Sequence, residues 1–193
     1  MNKSLILRMI IVLVAITFLS ALLLSITWSL SISKIKLNEQ KVLETALYEL
    51  NPTAAKYDRK TIQDTIFYQM YDQQDQFISY AFIADGSGFQ ANIKTLVSVD
   101  PTLTKILGIR ILEQSETPGL GTKIMDASFL NEFVGLILNY TKKVPLSYSK
   151  SVSDKKHGVI KAITGATISS RAVVNLINQK ITKIKPFLKK EAI

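Results

Sequence analysis

Residues 9–32 carry no charged side chain, an uninterrupted run of 24 residues made mostly of Ile, Leu, Val, Ala, Ser and Thr. As a helix rising ~1.5 Å per residue, the run spans roughly 36 Å and covers the ~30 Å hydrocarbon core of a bilayer. It commits these residues to a membrane helix or to a long signal sequence cut near Ser33, and signal peptides have shorter apolar regions. Trp28 lies toward the far end, where an indole suits the membrane–water interface. Lys3 and Arg8 precede the run and Lys34, Lys36 and Lys41 follow it. Flanking charge therefore leaves the orientation undecided, and a long domain can be translocated regardless. With 193 residues in all, the chain is expected to hold one domain besides this segment.

Past the run, Leu37, Val42, Leu43, Ala46, Leu47 and Leu50 form a helical stripe expected to pack on the domain core. Asn51-Pro52 stops it, and the polar, basic residues 53–63 read as a connection. Ile66, Tyr68 and Met70 alternate along 65–71. Residues 77–84 are a second strand, and Asp85-Gly86-Ser87-Gly88 the hairpin turn after it. Ile93, Thr95, Val97 and Val99 share one face of a third strand, Asp100-Pro101 turns the chain, and 106–112 is a fourth. Neighbouring strands with short turns favour antiparallel pairing. Residues 125–135 read as a helix with Phe129, Leu130 and Phe133 on one side. Segments 146–151 and 159–163 are two further strands. A last helix, 168–183, has a broad apolar face, and Pro186 with a lysine-rich tail ends it. The fold class is α+β: one transmembrane helix, then a mostly antiparallel sheet with flanking helices. There is no internal repeat.

The composition excludes most chemistry carried by side chains. Cysteine is absent, so there is no disulfide, thiolate nucleophile or cysteine-held iron–sulfur cluster. The one histidine, His157, sits in a polar loop without zinc partners, and no G-x-S-x-G is present. A redox role would need a cofactor. Gly86-Ser87-Gly88 lacks the spacing and βαβ setting of a nucleotide loop. The +9 net charge gathers after residue 142, but its lysines are scattered, without the aromatics or motif of a nucleic-acid surface. Asn139-Tyr140-Thr141 is a formal glycosylation sequon on a motif too short to carry weight.

Two stretches stand out. Ile163-Thr164-Gly165-Ala166-Thr167-Ile168-Ser169-Ser170 joins an apolar run to the last helix, where unpaired N–H groups of a helix start suit an anion. Gly165 and Ala166 leave space for a phosphate, and the hydroxyls can bond it or be esterified by it. An ordinary strand–turn–helix junction capped by Thr fits the same residues. Glu116-Thr117-Pro118-Gly119-Leu120-Gly121-Thr122-Lys123 is a rigid two-glycine turn that a plain loop would also explain. The two together, in this order, resemble the FMN-binding domain family. The likeness is nearest to G subunits of Rnf ion-translocating electron transport complexes, with the C subunits of the sodium-pumping NADH:quinone oxidoreductase as sisters, and it runs from the apolar segment to about Gln179.

This resemblance implies FMN held through its phosphate by Thr167, attached by a flavin transferase that uses FAD and releases AMP. Thr164, Gly165 and Ala166 belong to the same motif. Glu116, Thr117, Gly119 and Leu120 are expected to line the flavin site, with Lys123 near phosphate or ring; Ser169 and Ser170 are the less favoured acceptors. The family signature usually starts with Asp six residues before the acceptor, and here that residue is Lys161. The expected layout is a tail over 1–8, the span over 9–33, a connecting helix and linker over 34–63, the FMN domain over 64–185 and a basic tail over 186–193. The implied role is an electron-relaying subunit of a membrane complex, anchored in lipid with its domain on the periplasmic or outer face. No metal and no nucleic acid enter this reading. A flavin-free structural subunit, or an FMN-binding sensory domain, is the alternative.

Overall fold

The computed structural model of the chain describes residues 3–62, 65–141 and 144–191, with side chains as far as residue 187. The expected N-terminal tail, connection and basic tail each reach partly outside these residues. Two units are distinct, Met1–Val42 and Leu43–Ile193.

Helix α1, Lys3–Leu50, is continuous, as suits a sequence with neither glycine nor proline before Pro52. It is long and apolar enough to cross a membrane. Its large apolar side chains from Leu7 to Leu30 are exposed. Inside the apolar run Thr17 donates to the Leu13 carbonyl at 3.0 Å and Thr27 to that of Leu23 at 2.9 Å. Those hydroxyls therefore need no water, which a bilayer core does not supply.

In the second unit β1 (Lys56–Ile62), β2 (Thr65–Tyr71), β3 (Phe77–Ser87), β4 (Asn92–Val99) and β5 (Ile106–Glu113) form an antiparallel meander in chain order. One face carries Phe67, Tyr80, Phe82, Ile93, Val97 and Ile109. It packs on α2 (Ala127–Phe133) through Phe129 and Phe133, and on α3 (Thr167–Glu191) through Val173, Val174 and Ile177. The other face carries Tyr68, Met70, Ala81 and Leu96 and receives Ala46 and Leu47 from the end of α1. Both faces are thus covered, which explains why Leu96 and Ser98 are as buried as Val97 and Val99. Strands β6 (Ser147–Ser149) and β7 (Val159–Lys161) pair in parallel as a separate small sheet.

Asn51, read from sequence as a stop, is a buried hub. Its amide donates to the Leu47 carbonyl at 2.8 Å, and its carbonyl oxygen accepts from Ser79 of β3 and Ser98 of β4 at 2.7 Å each. Replacing Asn51 with alanine orphans two buried hydroxyls and a helix-end carbonyl. The expected loss is about 3 kcal/mol, measured by denaturant unfolding of the detergent-solubilised chain; a loss below about 0.5 kcal/mol would mean the serines find other partners.

Four expectations need correction. Residues 53–63 contain strand β1, not only a connection. Its charged residues Lys56, Asp58, Arg59 and Lys60 are exposed on an edge strand, so it lacks the alternation that marks a half-buried one. The hairpin turn sits at residues 88–91, because Asp85, Gly86 and Ser87 stay paired with Lys94, Ile93 and Asn92. Gly86 serves close packing instead: a Cβ there would lie 2.6 Å from Leu176 Cδ2 of α3. The helix expected over 125–135 is a 3-10 turn, Gly121–Met125, followed by the shorter α2. Last, α3 passes through Pro186. Pro186 is exposed, so water can bond the carbonyl its missing N–H leaves free.

The sheet has two edges. β1 presents its charges at one. At the other, β5 is covered by the segment after α2, where Ile106 N–H donates to Leu136 O and Gly135 N–H to Ile106 O at 2.9 Å each.

Candidate functional site

Strand β5 delivers the chain to Glu116, whose N–H donates to Gln114 Oε1 at 2.7 Å. Pro118 and Gly119 then turn it sharply. Gly119 has φ +74, a left-handed conformation that other residues rarely adopt. Its N–H donates to Thr122 Oγ1 at 3.0 Å, and Thr122 N–H returns to the Thr117 carbonyl at 3.3 Å. The turn is thereby closed on itself and leaves Leu120 outward, 48% exposed.

The Glu116 side chain goes inward and is only 4% exposed. Oε1 accepts the amides of Phe89 at 2.9 Å, Gln90 at 3.0 Å and Ala91 at 3.4 Å, at the tip of the β3–β4 hairpin. Oε2 accepts the Ser169 hydroxyl of α3 at 2.5 Å. Burial pushes this carboxyl upward, but the bonds from Ser169, Gln90, Ala91 and Phe89 outweigh it, so the pKa lies below the usual 4.5. Glu116 is therefore held as a carboxylate by hydrogen bonds, with no ion pair among the described residues. Gly88 and Gly121 press against it. A Cβ on Gly121 would come within 2.7 Å of Glu116 Cβ and 2.9 Å of Ser169 Oγ.

Helix α3 starts beyond Gly165, whose φ is +84. The first helical bond runs from Ser170 N–H to the Ala166 carbonyl at 3.0 Å. The amides of Thr167, Ile168 and Ser169 precede it and point out of the helix end. Ser170 Oγ donates to the Ala166 carbonyl at 2.9 Å and accepts the Ile163 amide at 3.1 Å. Ser169 and Ser170 are buried, and both hydroxyls are committed. Thr167 is half-buried, and its hydroxyl has only a long contact, 3.5 Å, to the Ile163 carbonyl.

Between these parts lies a cleft of about 280 Å³. Of the residues expected at the site, Thr117, Leu120, Gly165, Ala166 and Thr167 line it. Glu116 lies behind the wall instead of in it. Gly119, Lys123 and Thr164 are exposed and do not contribute to the lining. Gly121 and Ser169, from the same two stretches, line it as well, and Phe89 and Ile168 join them without having been expected there. Phe89 had one available signal, an aromatic directly after a two-glycine turn. It is 61% exposed, and Ile168 is 46% exposed. Lys161 ends β7 with its side chain exposed, and its backbone N–H donates to Glu132 Oε2 at 3.0 Å. A second, polar cleft of about 360 Å³ adjoins across Ile168, between Asp85–Gly88 and Arg171, Asn175 and Gln179 of α3. His157 is paired with Asp154 at 2.7 Å in the exposed loop before β7.

Residues 88–182 match the model of the FMN-binding domain. NqrC of Shewanella oneidensis shares the fold: TM-score 0.59 at 21% identity, over 72% of this chain and 73% of that one. The G subunit of the ion-translocating oxidoreductase complex of Methanosarcina acetivorans is 28% identical over 182 residues, 90% of this chain and 92% of its own length. Its counterpart from Shewanella oneidensis is 31% identical over 170 residues, 77% of this chain and 74% of its own. The chain belongs to the family of G subunits of ion-translocating oxidoreductase complexes. In this G-subunit chain the matched FMN-binding domain starts at Gly88 and so includes every wall of the Thr167 cleft, whereas β1, β2 and β3 precede it.

Proposed function

We propose that this G-subunit chain is a membrane-anchored electron carrier whose FMN is attached through its phosphate to Thr167. One observation carries the reading: Thr167 offers the least committed hydroxyl at the start of α3, inside a cleft rimmed by three exposed apolar side chains, while both neighbouring serines are tied down. The residues fit the group. The outward amides of the first helical turn stabilise a phosphoester charge by about 0.3–1 kcal/mol at an exposed end. Phe89, Leu120 and Ile168 provide apolar surface for the ring, and Thr117 a hydroxyl beside it.

Attachment joins the Thr167 oxygen to the FMN phosphorus of FAD. The pyrophosphate bond breaks, AMP leaves and the hydroxyl proton is released, with a flavin transferase as catalyst. Once bound, FMN supplies the electron transfer that the side chains here do not. A fixed carrier cannot be lost from a domain outside the cell, and we place this domain on the periplasmic or outer face, anchored by residues 9–33. Neighbouring subunits of an Rnf-type complex would be donor and acceptor, with the whole assembly coupled to ion movement. Residues 64–185 are assigned to the flavin domain, with β1 as an added edge.

Peptide mass spectrometry of the chain from its own membranes tests this. An FMN-phosphoryl mass on the Thr167 peptide is expected. An unmodified peptide would favour the flavin-free structural subunit, the reading that Lys161 in place of Asp supports.

A further inference from the structure

Phe89, Leu120 and Ile168, at 61%, 48% and 46% exposure, line the cleft that holds Thr167. Single exposed apolar residues are ordinary, but three lining one cleft form a patch. They come from separate segments: the hairpin tip at 88–91, the turn at 116–121 and the first turn of α3. No strand or helix ladder joins these segments at their tips. One carboxylate does. Oε1 of Glu116 holds the amides of Phe89, Gln90 and Ala91, Oε2 holds the hydroxyl next to Ile168, and Glu116 itself opens the turn that carries Leu120. The Thr117 hydroxyl also reaches Gln90 Oε1 at 2.9 Å, linking turn to hairpin but not to α3.

The geometry points to Glu116 as the positioning residue of the flavin site: its carboxylate fixes the acceptor turn of α3 against the two other apolar walls. This sets how fast Thr167 is loaded and how far the attached ring is shielded from water. The inference rests on the reading of Thr167 as the attachment point. Glu116 does not line the cleft, so it acts only through the segments it holds. The close packing of Gly88 and Gly121 around the carboxylate leaves no slack in that arrangement. A reacting group displaced by about 1 Å can lose on the order of 100-fold in rate.

The test uses the full chain with its transferase and FAD. Glu116→Gln, Ser169→Ala and the double variant are compared with the parent by loading rate, by iodide quenching of flavin fluorescence in the loaded fraction and by thermal unfolding. Loading slower by about ten-fold and stronger quenching are expected from each single change. The double variant should be no worse than Glu116→Gln, because one bond is lost twice, and Ser169→Thr should restore the parent values. If Glu116→Gln does not fold, Ser169→Ala decides, since it leaves three of the four bonds in place. Folded variants with parental loading and quenching would overturn the inference. A parent chain that takes no flavin would instead refute the assignment of Thr167.

Discussion

Thr167→Ala is expected to give a folded chain with no covalent flavin at all. The hydroxyl that is lost makes a 3.5 Å contact and is half-buried, so stability should change by no more than about 1 kcal/mol. The chemical effect is complete because neither serine of the same helical turn can replace it. Ser169 is 2% exposed and donates to Glu116; Ser170 is fully buried, donates to Ala166 and accepts from Ile163. Freeing Ser169 would leave Glu116 Oε2 without its donor, and freeing Ser170 would leave the Ile163 amide without its acceptor, at about 1–3 kcal/mol each, before any phosphorus could approach. Thr167→Ser keeps an oxygen at the same place and should retain loading. The check is the mass of the peptide spanning 164–171 in parent and both variants. Flavin on Ser169 or Ser170 of the alanine variant would show the junction to be far looser than its hydrogen bonds indicate.

The second large effect is a loss of stability in acid to which Glu116 contributes. Its folded pKa lies below the usual 4.5, so near pH 4 the unfolded chain binds more protons than the folded one. Its contribution is complete above about pH 4.5 and disappears as the pH falls through the lower folded value. Chemical unfolding followed from pH 7 to pH 3 should show this decline. Glu116→Ala should lower stability at pH 7 by about 3 kcal/mol or more, because four donors lose their acceptor, and should flatten the acid limb. Part of that limb will remain. Asp100 is pushed up by burial but held lower overall by bonds from Thr102, Lys105 and Thr104, so it too loses stabilising charge in acid. An unchanged acid limb in the Glu116 variant would rule out the carboxylate as a source.

Much of the fold is legible in local patterns, and the exceptions share a cause. The apolar run of α1 and the alternation in β2 to β5 are local signals, as is the hydroxyl-rich start of α3. β1 is hidden because an edge strand with charges on it looks like a linker. Gly86 passes for turn chemistry because its reason, Leu176, lies in a helix far along the chain. The site divides in the same way. Thr167, Gly165 and Leu120 are singled out by their motifs and line the cleft. Glu116 is found too, but with the wrong role, since sequence shows a carboxylate beside a turn and not its burial. Phe89 reaches the cleft only through a hairpin 27 residues before Glu116, and no pattern along the chain connects them.

The treatment of the sheet's two borders bears on how such a chain avoids pairing with copies of itself. An unpaired strand is a template for another polypeptide. Here one border carries Lys56, Asp58, Arg59 and Lys60, and the other is occupied by residues 135–138. Recruitment of a foreign strand is disfavoured at both. Contacts with other chains are then left to side-chain surfaces and loops, and the five-stranded ladder keeps its own pairing.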